Sequence, residues 1–198
     1  MFLSTVTLAD RLRASLALDP RDGLLAGDLI EGAPDAGQEA AVLVAMTDRA
    51  EPGVLLTVRR EHLRTHAGQV SFPGGRIDPG EDAFIAALRE AEEEIGLPPE
   101  QVQIWGAGDP YRTVTGFAVT PVLGRVPPDL PLAPHEHEVA DWFEAPLSFL
   151  LDPANQQRMS AEYQGRTRDY YQIDWQGRRI WGATAAMLVN LTRRLEWT

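Results

Sequence analysis

The chain has no cysteine, so disulfide staples, thiolate zinc sites and thiol nucleophiles are excluded. No apolar run is long enough to cross a bilayer, and a membrane partner is not expected. Asp10, Arg11 and Arg13 break the apolar stretch that a signal peptide would need. Positive charge is scarce: 18 Lys plus Arg stand against 29 Asp plus Glu, a formal charge of −11. General nucleic-acid binding needs an electrostatic footprint of the other sign and is not expected either. An anionic ligand would require a local basic patch or bound cations to offset this field. Absent signals and absent thiols together point to a cytoplasmic location.

What is present suits a folded domain. The 198 residues are 44% hydrophobic and 24% charged, enough for one core and too apolar for disorder. Leu8, Ala9, Leu12 and Leu16 recur at helical spacing before Asp19-Pro20, and 21–37 reads as an irregular connection. Ala40–Thr47 and Val54–Arg59 form a hairpin signal, and Gln69–Phe72 a third strand stopped by Pro73-Gly74-Gly75. A helix is predicted from about Glu81 to Ile95, closed by Gly96. Further strands are expected at Val102–Trp105, Phe117–Val122 and Val139–Phe143, with a proline-rich loop over Val126–Pro134. Leu147–Leu151 reads as a short helix, Tyr170–Asp174 with Arg178–Trp181 as a hairpin, and Ala183–Leu195 as a C-terminal helix. Without repeats or a visible boundary, residues 1–198 read as one α/β domain.

The chemistry is concentrated in Gly75-Arg76-Ile77-Asp78-Pro79-Gly80-Glu81 and in Arg89-Glu90-Ala91-Glu92-Glu93-Glu94-Ile95-Gly96-Leu97. With Glu90 at zero on the helical wheel, Glu93 falls at about −60° and Glu94 at about +40°. Three carboxylates then share one narrow face, with Ala86 and Ala87 one turn earlier leaving room for a ligand. Phe84, Leu88, Ala91 and Ile95 form a separate core stripe. Carboxylates at i, i+3 and i+4 repel unless a cation lies among them. Oxygen ligands without His or Cys suit Mg²⁺ or Mn²⁺. Asp78 and Glu81, three apart around Pro79, read as a capping box.

The spacing G-x5-E-x7-R-E-U-x-E-E-x-G-U, with U a bulky apolar residue, resembles the signature of the Nudix hydrolases. Gly75, Glu81, Arg89, Glu90, Glu93, Glu94, Gly96 and Leu97 carry it, and Ala91 is smaller than the pattern prefers. Upstream, Leu55-Leu-Thr-Val-Arg59 and Leu63-Arg64-x-His66-x-Gly68-Gln69-x-Ser71-Phe72-Pro73-Gly74-Gly75 are similar to the motif of coenzyme A diphosphatases. Gly116-Phe117, Pro121-Val122, Pro146-Leu147 and Trp181-Gly182 extend that likeness.

The resemblance implies a Nudix α/β/α sandwich, a mixed β-sheet between helices, with residues 75–97 as a loop–helix–loop box behind the N-terminal helix and connection of 1–37. It implies Mg²⁺- or Mn²⁺-dependent hydrolysis of the diphosphate of coenzyme A to 3′,5′-ADP and 4′-phosphopantetheine. Glu90 and Glu94 are the implied metal ligands, with Glu93 beside them and the Gly75 carbonyl as a further ligand. Glu93 or Glu94 is the candidate base, with Glu136 or Glu138 as alternatives, and Arg89 and Glu81 orient the site. Arg59, Arg64, His66, Gln69, Ser71, Phe72 and Arg76 are the candidate substrate contacts. Because Arg59 and Arg60 point to opposite faces of a strand, at most one of them faces the site. Two rivals stand: a Nudix hydrolase of ADP-ribose, NADH or a nucleoside triphosphate, and a Nudix-like binding module without catalysis. His62 and His66 lack the glutamate of a zinc protease motif, and His135–Glu138 reads as an exposed polar loop. The oligomeric state stays open, a homodimer included.

Overall fold

The structure, a computed structural model, describes residues 7–18, 22–28, 37–60, 68–163 and 165–197. Its organising strand is β1 (Gln38–Thr47), which runs parallel to β7 (Phe117–Val126) in unbroken register from Gln38↔Phe117 to Thr47↔Val126. The predicted hairpin to β2 (Gly53–Arg59) forms, but the two strands are joined only at Met46↔Val54 and then diverge. The opposite edge of β2 is covered by β8 (Val139–Pro146).

Two short strands fill the wedge between β1 and β2. β3 (Val70–Ser71) pairs with β2 at Thr57 and Val58. β4 (Gly74–Arg76) pairs with β1, setting Ala41 opposite Gly75 and Ala40 opposite Arg76. The chain therefore crosses between strands at Phe72-Pro73. The expectation that Pro73-Gly74-Gly75 ends the strand was too simple: Pro73 breaks one pairing and the glycines begin another. An added Cβ at Gly74 would meet Ala41 O at 2.4 Å, so only glycine lets this backbone lie so close to β1. β5 (Gln103–Ala107) and β6 (Tyr111–Arg112) complete an eight-stranded mixed sheet on β7.

The sheet's two faces carry different helices, giving the expected α/β/α layering. Side chains alternate along β1. Ala41, Leu43 and Ala45 pack with Ala86, Ala87, Ala91 and Ile95 of α2 (Ala83–Ile95). Ala40, Val44 and Met46 face Leu12 of α1 (Leu8–Leu16) and Met187, Leu188 and Leu191 of α4 (Ala183–Leu195). Each fully buried Leu, such as Leu43 or Leu188, contributes roughly 1.5–3 kcal/mol. α3 (Leu147–Leu151) and α4 begin and end where the sequence placed them. A second, antiparallel sheet of β9 (Gln157–Tyr163), β10 (Arg166–Trp175) and β11 (Arg178–Trp181) packs on α4. β10 and β11 form the predicted hairpin; β9, polar and only weakly alternating, gave no strand signal. Among the described residues no helix is long and apolar enough to cross a membrane.

Two details of α2 correct the sequence reading. Its N-cap is Asp82, whose carboxylate accepts the Phe84 and Ile85 amides at 2.9 Å. Asp78 and Glu81 instead close a turn just before the helix, where Glu81 Oε2 accepts the Asp78 amide. The buried arc is also rotated: Ala86, Ala87, Ala91, Glu94 and Ile95 are buried, while Phe84 is exposed. Glu94 lies inside the packed face, not on a separate acidic one. Small side chains at 86, 87 and 91 permit this, because they bring the helix close to the sheet without filling the space that Glu94 needs.

Candidate active site

The wedge between β1 and β2 brings the C-terminal half of α2 against the β3–β4 crossing. Gly96, at φ 66°, ends the helix in a left-handed cap, its amide bonded to Ala91 O and Glu92 O. The loop that follows β7 returns over this end, where His135 N–H donates to Glu94 O at 2.8 Å. Glu90, Glu93 and Glu94 are thereby held beside the glycines of β4.

Glu94 is only 3% exposed. Its Oε2 accepts the Gly74 amide at 3.2 Å and its Oε1 lies 3.6 Å from Arg59 Nη1. Those contacts do not offset the loss of water: burial pushes its carboxyl up to about 8, and the nearby charges of Glu90 and Glu138 push the same way. Glu90 is half-buried and likewise raised by burial, against the pull of Arg89. Gly75 explains how Glu90 fits, since an added Cβ there would stand 2.4 Å from Glu90 Oε1.

Arg89 ties the carboxylates together. Its Nε and Nη2 grip both oxygens of Glu81 at 2.8 and 3.0 Å, while Nη1 bonds Glu90 Oε1 and Glu93 Oε2, each at 3.0 Å. Nη2 also donates to the Arg76 carbonyl at 3.0 Å, fixing β4 to the helix. This bidentate grip holds the Glu81 carboxyl below the usual carboxylate range.

The donor set suits a hard divalent cation. Two partly desolvated carboxylates, a third at the solvent edge and a glycine-bared backbone offer oxygen and nothing softer. The Arg59 contact to Glu94 is too long for a full hydrogen bond, so the buried carboxylate lacks a close compensating charge. Among the described residues no three His, Cys, Asp or Glu side chains are already drawn together as a metal cage. Arg89 instead occupies an oxygen of Glu90 and one of Glu93.

The structure distributes the remaining predicted residues unevenly. Arg59 faces α2, and Arg60 follows it with its backbone amide on Glu138 O. Ser71 lies beside Thr57, the two hydroxyls 3.1 Å apart. Gln69 supports Arg59 through its carbonyl, 2.9 Å from the Arg59 amide. Arg76 is exposed, with its guanidinium 5.3 Å from the Phe117 ring centre. Phe72 is 2% exposed and belongs to the core below β3, so the structure does not place it at the site. Arg64, His66 and His62 lie outside the described residues. His135, Glu136, His137 and Glu138 are exposed, as expected. The sequence reading missed the Gly74 amide that meets Glu94 and the Phe117 ring beneath Arg76. Neither has a local signal, because both arise from strands brought together by the sheet.

A Nudix hydrolase is what this arrangement and the comparisons define. The NUDIX domain family matches residues 37–163, and the chain belongs to that family. It is 43% identical over 159 residues to an uncharacterised Nudix hydrolase, NudL, of Enterobacter sp. strain 638, covering 80% of this chain and 83% of the relative. The corresponding protein of Cronobacter sakazakii is 44% identical over the same coverage. A solved Nudix hydrolase from M. smegmatis, RenU, shares the fold at 23% identity and a TM-score of 0.50, covering 64% of this chain and 75% of that one. The activity class is therefore hydrolysis of a small nucleoside diphosphate derivative, in a family that generally uses divalent metal ions.

Proposed function

We propose that the substrate is coenzyme A or one of its derivatives, cleaved at its diphosphate to 3′,5′-ADP and 4′-phosphopantetheine. The observation that carries this reading is the run from Leu55 to Gly75. Its arginines and its Ser-Phe-Pro-Gly-Gly segment resemble the coenzyme A diphosphatase motif and lead directly into the carboxylate site. In this reading Glu90 and Glu94, with the Gly75 carbonyl, hold Mg²⁺ or Mn²⁺, and Glu93 completes the acidic edge. Bound there, such a cation neutralises diphosphate charge and acidifies a water.

The chain's own groups do the rest. Arg59, beside Glu94, meets the diphosphate, with Gln69 and Ser71 on the segment paired with its strand. Arg64 and His66, outside the described residues, join the substrate contacts through the motif alone. Phe72, being core, is left out of that set. Arg89 with Glu81 keeps Glu90 and Glu93 in register as their charge is redistributed. Glu93 or Glu94 is the carboxylate that receives the water proton, with Glu136 and Glu138 of the neighbouring loop as the alternatives. Replacing each in turn by glutamine separates them by the loss of one limb of the pH–rate profile.

A substrate panel read by mass spectrometry tests the proposal: coenzyme A, acetyl-coenzyme A, ADP-ribose, NADH, a dinucleoside polyphosphate and dGTP, each with Mg²⁺ or Mn²⁺. Release of 3′,5′-ADP is the expected result. Turnover of another compound alone keeps the Nudix chemistry and discards coenzyme A. Silence with both metals favours the binding-module rival.

A further inference from the structure

All 18 basic residues of this acidic chain are arginines. Most of those with a described ion pair sit against a carboxylate at hydrogen-bonding distance; Arg49, Arg125, Arg158, Arg178 and Arg194 are examples. Arg76 is different. Arg11, Arg179 and Arg193 also lie over aromatic rings, but each donates hydrogen bonds to oxygen. Among the described residues the Arg76 guanidinium has neither a carboxylate partner nor such a bond, and rests on the Phe117 ring. Its backbone is immobilised, since the carbonyl accepts from Arg89 Nη2 and the strand pairs with β1.

Strand alternation sets its direction. Gly75 lies opposite Ala41, whose side chain packs on the α2 face, and an added Gly75 Cβ would point at Glu90. Arg76 lies opposite Ala40 and therefore projects to the other face, where Ala40 and Phe117 pack with the α1–α4 side of the core. Arg59 lies on the α2 face with Glu94. The two arginines thus stand on opposite faces of the sheet at the same wedge, one facing the carboxylates and the other turned away from them. A guanidinium seated on an aromatic ring loses little freedom on meeting an anion and keeps its outer donors for a phosphoryl group.

We propose that Arg76, seated on Phe117, binds a second phosphoryl group of the substrate, outside the scissile diphosphate, and so selects nucleotides phosphorylated at the ribose 3′ position. This rests on the coenzyme A reading and deepens it. A ribose separates the 3′-phosphate from the diphosphate, so the second phosphoryl group needs a cation of its own, and Arg76, on the strand that carries Gly75, is free to supply it. Arg59 serves the diphosphate, Arg76 serves the 3′-phosphate, and Phe117 is a positioning residue.

The test compares wild type, Arg76→Ala, Arg76→Lys and Phe117→Leu on coenzyme A and on 3′-dephospho-coenzyme A. Calorimetric affinities for adenosine 3′,5′-bisphosphate and 5′-AMP are measured alongside. Arg76→Ala is expected to lose about tenfold or more kcat/KM on coenzyme A beyond its loss on the dephospho compound, mainly through KM. Phe117→Leu should shift the ratio the same way by less, and Arg76→Lys should restore part of it without the loss of fold that a larger change risks. Equal losses on both substrates, with unchanged nucleotide preference, overturn the proposal. If wild type cleaves neither compound, the coenzyme A reading fails, and the nucleotides alone judge the subsite. A bisphosphate preference abolished by Arg76→Ala sustains it, and no such preference in wild type overturns it.

Discussion

Two helices of equal length carry one buried charge each, and the contrast between those charges separates scaffold from site. α4 buries Arg194, 6% exposed, and gives it four hydrogen bonds. Nε and Nη2 meet the two oxygens of Asp109 at 2.6 Å, and Nη1 caps the end of α1 through the carbonyls of Ser15 and Leu18. α2 buries Glu94 still more deeply and leaves it with one amide and a distant guanidinium. A charge paired at close range with its counterion is a joint; removing either side leaves its partner stranded. A carboxyl buried without a close counterion holds its proton more tightly, and the surrounding fold keeps it in place for a cation to take the proton's position. The molecule keeps the second kind beside the glycines of β4 and the first kind on the opposite face of the sheet.

The sharpest way to break this comparison is at the joint. Arg194→Ala should destabilise the fold by about 3–5 kcal/mol, because Asp109, only 12% exposed, is left unpaired with little access to water. Urea denaturation reads the loss, and a change under about 1 kcal/mol would make Arg194 dispensable, contrary to its geometry. Glu94→Gln should behave oppositely. Hydrolysis is expected to fall about a hundredfold or more, as several kcal/mol of cation-dependent stabilisation goes. The metal-free melting temperature should hold or rise. Full activity in that variant would remove Glu94 from the site.

Arg89→Ala is expected to cost about 10–100-fold in activity, the usual range for residues that orient metal ligands. Restoration by excess Mg²⁺ or Mn²⁺ would trace the loss to metal affinity. A further comparison concerns pH. In chelator, the folded pKa of Glu94 lies above its unfolded value, so the folded state holds more protons between the two. That contribution is complete below the ordinary carboxylate range and disappears as pH rises through about 8. Denaturation midpoints in chelator should therefore fall over this interval in wild type and stay flatter in Glu94→Gln.

Local sequence was enough for the helices and for the chemistry they carry. Leu147–Leu151 and Ala183–Leu195 appear where their periodicity placed them. Gly96 ends α2 because a left-handed cap is a local requirement. The glutamate spacing alone made the carboxylate cluster of α2 legible. β9 and β4 were not legible. One has no apolar alternation, and the other consists of glycines whose strand state depends wholly on β1. The N-cap shifted from the expected position because Asp82 competes with Asp78 for the first helical amides and lies nearer to them in the chain.

The sequence by itself determined which atoms are available: carboxylate oxygens at helical spacing, glycines able to admit them, and arginines as the sole fixed cations. Those are properties of residue type and separation along the chain. Only the tertiary structure decided their state. The divergence of β2 from β1 opened the wedge, alanine packing rotated Glu94 into the buried arc, and sheet alternation sent Arg59 and Arg76 to opposite faces. Burial, and with it the strength of every charge in the site, depends on what lies across from a residue. Neighbours distant in sequence supply that, so no reading of local spacing could fix it.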